Sequence, residues 1–170
     1  MKNLMGLNME KINAAVLKQF MKADKNKDKL MIDELITENG FNRILLSFAG
    51  HNLFNITSCF FPFDLNEITA SYQSNKIENT NLKSILSSAQ DVSDFSQVRF
   101  LYEKKLDSIT TCVFGNDNFK VGVNKDYLKF INIDNCIFYG AGTKAPLKVY
   151  CRDEFVAMIL QINPSSGCWD

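Results

Sequence analysis

Few residues in this chain could do covalent chemistry, and their spacing argues against it. His51 is the only histidine, so any Ser-His-Asp or Cys-His pair would have to use it. The adjacent carboxylates Asp33-Glu34 and Asp153-Glu154 point to opposite faces of an extended strand, which suits turns and strand edges better than paired acid–base work. Five cysteines (Cys59, Cys112, Cys136, Cys151 and Cys168) form no CxxC pair, and the Cys/His spacing of a zinc site does not occur. Most of them sit in apolar, strand-like runs and their number is odd, which predicts reduced, buried thiols in a cytoplasmic protein. The sequence therefore predicts a non-enzymatic chain with no cofactor and no resident metal.

Two stretches resemble ion-binding loops and fail on particular residues. Asp24, Asn26 and Asp28 follow a helix-like run at the alternate spacing of a calcium loop, and Glu34 comes after them. The glycine required at the sharp turn is Lys29, the twelfth position is Leu35, and Lys25, Lys27 and Lys29 place positive charge in the loop. A solvated helix-to-strand connection accounts for it better, with a calcium-binding domain over residues 24–34 as the weaker alternative. Gly140-Ala-Gly142-Thr143-Lys144 lacks the spacing of a phosphate loop, and Pro146 with a strand follows where a helix would be needed. It reads as a hairpin turn.

Lysines offer a different chemistry, that of contact with phosphates. Lys18 and Lys22, Lys83, and Lys125 and Lys129 each lie on a predicted helix, away from its apolar stripe. The plain alternative is the solvated face of an amphipathic helix. Lys+Arg and Asp+Glu number 19 each, so no global field attracts nucleic acid and any such contact must be local. With 170 residues, 46% of them hydrophobic, and 14 Phe against three Pro, the chain has the composition of a folded, strand-rich protein. No run of 18 or more apolar residues occurs, so neither a membrane span nor a secretory leader is expected.

The elements that would position these residues fall in a recurring order. A strand at 9–12, a helix over 13–23 and strands at 30–36, 43–48 and 53–61 come first. A polar connector follows Pro62. A second helix has Leu82, Ile85, Leu86 and Ala89 on one face, followed by strands at 97–102, 108–114 and 118–123. The third unit runs over 121–163: a strand, a short helix capped by Asn124 with Tyr127, Leu128 and Ile131 on one face, and strands at 136–139, 147–151 and 155–162. The expected fold is α+β, built from repeated strand-helix-three-strand units. Its organisation is one half-domain at 1–66, a connector at 67–79, a domain of two half-repeats at 80–163, and a polar tail at 164–170 with an exposed tryptophan.

Asn124, Tyr127 and Leu128 are similar to an N-x-x-Y-L helix start. Ala145-Pro146-Leu147 and the run 155–162 are similar to a P-v-x-i…y-v-v-M-P-M ending. Residues 43–53, RILLSFAGHNL, resemble a segment ending T-D-G-H-R-L. On these motifs the chain resembles the bacterial DNA polymerase III β sliding clamp family, in a shortened, phage- or prophage-like form. It departs from that pattern at Phe48-Ala49, at Asn52, and at Gln161, where the family has proline.

The resemblance implies a DNA-clamp-like fold and a ring that encircles duplex DNA without reading its sequence, the five lysines named above touching phosphates. It also implies a pocket for clamp-binding peptides of replication proteins, walled by Gly50, His51, Leu53, Pro62, Leu160 and Ile162. With three half-repeats per chain, counting implies a homo-oligomer of about four copies. The second reading is a small interaction or inhibitor protein that acts on a host protein as a monomer or small oligomer.

Overall fold

Short runs of β-branched and aromatic residues between turn dipeptides dominate the chain, and in a computed structural model they form strands. The structure describes residues 31–35, 43–48, 52–57, 82–128, 134–142, 144–162 and 169. The strands are β1 (Met31–Leu35), β2 (Arg43–Phe48), β3 (Asn52–Thr57), β4 (Ser96–Leu106), β5 (Ile109–Gly115), β6 (Lys120–Asn124), β7 (Cys136–Gly140), β8 (Leu147–Cys151) and β9 (Glu154–Ile159). The helix α1 (Leu82–Gln90) precedes β4, and a 3-10 turn (Lys125–Leu128) follows β6. The strands form one sheet in the order β1-β2-β3-β9-β8-β7-β4-β5-β6, and every pairing is antiparallel.

This corrects the expected α+β repeat of strand-helix-three-strand units, and with it the DNA-clamp-like architecture. The described residues are mostly antiparallel sheet with one short helix. Three meanders exist, but they join side by side, β3 on β9 and β7 on β4, into a continuous sheet. Each open meander leaves unpaired backbone N–H and C=O groups, and pairing with the next meander satisfies them. The helix expected after Asn124 forms only the 3-10 turn within the described residues; the Asn124 side chain does cap it, accepting from Asp126 N–H at 2.9 Å. The expected strand at 9–12, the helix at 13–23 and most of the 24–34 loop lie outside the described residues.

α1 covers one face of the sheet. Leu86 and Ala89 pack on Leu45 of β2, Leu53 of β3 and Phe155 of β9, with Ile85, Tyr150 and Met158 around them. The helix has no basic residue in its last turn. β8 supplies the cation instead. Lys148, 4% exposed, donates from Nζ to the Ser88 carbonyl at 3.1 Å and to the Asp91 carbonyl, while the Tyr150 hydroxyl donates to the Gln90 carbonyl. The Lys148 ammonium also lies 4.0 Å from the centre of the Phe95 ring. A positive charge at the carbonyl end of a helix is stabilised by the helix dipole and by carbonyls that have no partner inside the helix.

The opposite face is the concave one. Phe54, Leu147, Val149, Ala157 and Ile159 are fully or almost fully buried there. The sheet coils so far that a Cβ on Gly140 of β7 would come 3.1 Å from the Phe119 ring and 3.4 Å from Val121 of β6. After β9 the chain reaches β6 as well, and Ile162 N–H donates to the Gly122 carbonyl at 2.9 Å. On this face Cys136 and Cys151, directly opposite in the β7–β8 register, form a disulfide, so the expectation of reduced thiols fails for these two. Among the described residues no helix is long and apolar enough to cross a membrane.

Lys148→Met keeps an apolar stem and deletes the donor, and should cost about 1–3 kcal/mol in urea unfolding. Burial holds the Lys148 ammonium below the ordinary value of 10.5, with the Asp91 charge opposing it. Below the folded-state value both states are protonated and the charging cost is fully present. Between that value and 10.5 the unfolded chain binds more protons, so wild-type stability rises with pH across that window. The methionine variant should lack the rise. Thr111→Val removes a hydroxyl that is buried without a hydrogen-bond partner, and should leave Tm unchanged or raise it.

Candidate functional site

Strand β4 carries a bulge, and the bulge builds the site. Phe100 pairs with Phe114 while Tyr102 pairs with Val113, so Leu101 is the extra residue. In a regular strand Phe100 and Glu103 would point to opposite faces. With the bulge, both point to the concave face, beside Phe114 and Cys112 of β5. Val98 pairs with Phe138, which brings a third ring from β7 to the same face.

Phe114 stacks tilted on Phe138 with centroids 4.6 Å apart, and meets Phe100 edge to face at 5.8 Å. The 3-10 turn adds buried Leu128 and the stem of Lys125. Together these residues line a cleft of about 330 Å³, walled mostly by carbon. Phe100 stands at its mouth with 51% of its surface exposed.

One ion pair marks the rim. Lys125 Nζ lies 2.6 Å from Glu103 Oε1, both side chains being partly exposed. Their hydrogen bond holds the Lys125 ammonium above the ordinary lysine value, so Lys125 stays charged at neutral pH. Cys112, outside the disulfide and 5% exposed, forms part of the floor. Among the described residues no histidine or paired acid lines this cleft, and no group of three or more His, Cys, Asp or Glu could hold a metal. What the arrangement can do is desolvate an apolar group while holding charge at its edge.

Among the described residues expected to bind DNA or a peptide, Lys125 alone lines this cleft. Its charge is engaged by Glu103. Lys83 sits in the first turn of α1, its side chain outside the described set, and Lys18, Lys22 and Lys129 lie outside the described residues. Of the expected peptide pocket, Gly50, His51 and Pro62 also lie outside. Leu53 is buried beneath α1, Leu160 is 37% exposed with its N–H donating to Asn52 Oδ1 at 2.7 Å, and Ile162 rests on β6. Gln161, where the motif resemblance called for proline, donates to the Gly142 carbonyl at 2.6 Å and to the Ala145 carbonyl, tying down the β7–β8 loop. Phe100, Glu103, Phe114 and Phe138 went unread in the sequence, and Cys112 was read there as one of the buried thiols; the abundance of Phe was the visible signal of the rings.

Glu103→Gln removes the partner that raises Lys125. The Lys125 titration midpoint, followed by the NMR shift of its side chain, should move down toward the ordinary value. Thermal stability should hardly change, because the pair faces solvent.

No protein-family model, curated protein or solved structure matches this chain.

Proposed function

We propose that the chain is a non-enzymatic interaction module that docks an apolar anchor side chain of a partner protein in the Phe100–Phe114–Phe138 cleft. The observation that carries this reading is Phe100, half exposed at the mouth of a cleft whose floor is aromatic and buried. An exposed aromatic ring beside a preformed apolar hollow is what a binding hot spot requires, and the Lys125–Glu103 pair supplies a polar rim that excludes water. The partner segment this fits has an aromatic or large aliphatic residue with polar or charged neighbours on either side. Of the three readings drawn from the sequence, this deepens the small interaction protein. The DNA-encircling ring depends on a repeat architecture that the fold replaces.

Peptide display on the wild-type chain, with depletion against Phe100→Asp, tests the proposal. Recovered peptides should share an aromatic or aliphatic anchor. By calorimetry, Phe100→Asp and Phe138→Ala should each weaken them at least about ten-fold, equivalent to about 1.4 kcal/mol. Peptides that bind both variants as tightly as wild type would overturn the assignment. So would a selection that yields no cleft-dependent peptide while a small hydrophobic dye fills the cleft.

A further inference from the structure

The convex face of β4, β5 and β6 holds a second built site, and the chain itself occupies it. The bulge that sends Phe100 and Glu103 to the concave face sends Tyr102 to the convex one. There Tyr102 is in register with Val113 of β5, which pairs with Gly122 of β6. Lys120, two residues before Gly122, shares this face. Trp169, the only tryptophan of the chain, lies on it.

Three features fit the indole and its backbone. A Cβ on Gly122 would lie 2.2 Å from both Cζ2 and Cη2 of Trp169, so the ring rests directly on the bare backbone of β6 and only glycine leaves room for it. The Trp169 carbonyl accepts from the Tyr102 hydroxyl at 2.6 Å and from Lys120 Nζ at 2.7 Å. Lys120 Nζ is also 5.7 Å from the Tyr102 ring centre, which holds the two donors together. The glycine slot and the two donors converging on one main-chain carbonyl fix the indole and its backbone together. The expectation that the tryptophan is exposed is corrected: Trp169 is half-buried.

We propose that the Tyr102–Lys120–Gly122 face is a tryptophan-recognition site, filled in cis by Trp169, into which a tryptophan-bearing segment of a second polypeptide can exchange. Occupation in cis acts at a high effective concentration, on the order of millimolar for a short tether, so the isolated chain hides the site from all but strong competitors. The site lies across the sheet from the aromatic cleft and does not depend on that reading.

The single tryptophan supplies the test. Trp169→Ala chain contains no indole, so in a mixture with the peptide NPSSGSWD (residues 163–170 with Cys168→Ser) all indole emission comes from the peptide. The emission should shift to the blue and its anisotropy rise saturably as this acceptor is added. Wild-type chain should bind the peptide, carrying a dye for this comparison, at least about ten-fold more weakly. Adding Gly122→Ala to the acceptor should abolish binding, and Tyr102→Phe should weaken it about two- to ten-fold, the worth of one hydrogen bond.

Should Trp169→Ala fail to fold by circular dichroism, Trp169→Phe, equally free of tryptophan, serves as the acceptor. In otherwise wild-type chain, Gly122→Ala should shift Trp169 emission to the red and open it to acrylamide quenching. Peptide that binds no acceptor, that binds the Gly122→Ala acceptor equally well, or that binds wild type as tightly as the acceptor would each overturn the proposal.

Discussion

One extra residue in β4 sets what the two faces of this sheet can do. Without Leu101 out of register, side chains on either side of it would alternate regularly, and Phe100 and Glu103 could not share a face. With it, an aromatic ring and a carboxylate converge on the concave side while Tyr102 turns to the convex side. The cleft, its charged rim and the clamp on the Trp169 carbonyl all follow from that register shift. A neighbouring constraint keeps it fixed: a Cβ on Gly115, the partner of Arg99, would come 2.9 Å from Leu101 Cδ1, so the bulged leucine fills the space that glycine leaves.

The helix is subordinate to the sheet in this molecule. Its nine residues are too few to be stable alone in water, and its last turn has no cation of its own. The sheet supplies what is missing: an apolar bed from β2, β3 and β9, and from β8 a lysine and a tyrosine that receive the terminal carbonyls. Burying an ammonium is unfavourable on its own, as the lowered Lys148 value shows. Two carbonyls and the face of Phe95 offset that cost, and one side chain both ends the helix and locks it to the strand beneath.

Local signals were legible in the sequence, and pairings between distant segments were not. The apolar face of α1, strand β2, the Asn124 cap and the break between the strands expected at 147–151 and 155–162, where Arg152-Asp153 turn the chain, could be read because each depends on residues a few positions apart. Both turn residues adopt positive φ, 51° and 65°, as a two-residue hairpin connection demands. The order of strands could not be read, because β3 against β9 joins segments about a hundred residues apart by pattern-free backbone bonds. The repeated rhythm of strands was real, but it reflected three meanders and carried no information about helices between them. The candidate site was hidden for the same reason. β4 extends to Leu106, beyond the expected 97–102, and its bulge moves Glu103 to a face that strict alternation denies it. Lys148 falls within the strand expected at 147–151, which carries no sign that its neighbour across space is a helix end.

The hydrogen bond from Ile162 to Gly122 also bears on how copies of this chain behave toward one another. Positive and negative side chains balance to a net charge of zero, so long-range repulsion does little to keep molecules apart in solution. Under that condition a strand at the end of a sheet invites a second molecule to add its own. Here the main-chain carbonyl at the centre of β6 is already taken by Ile162, and an indole lies over the same residue. One acceptor at this end of the sheet is thus closed to a second strand by the chain's own backbone, a block that salt does not screen.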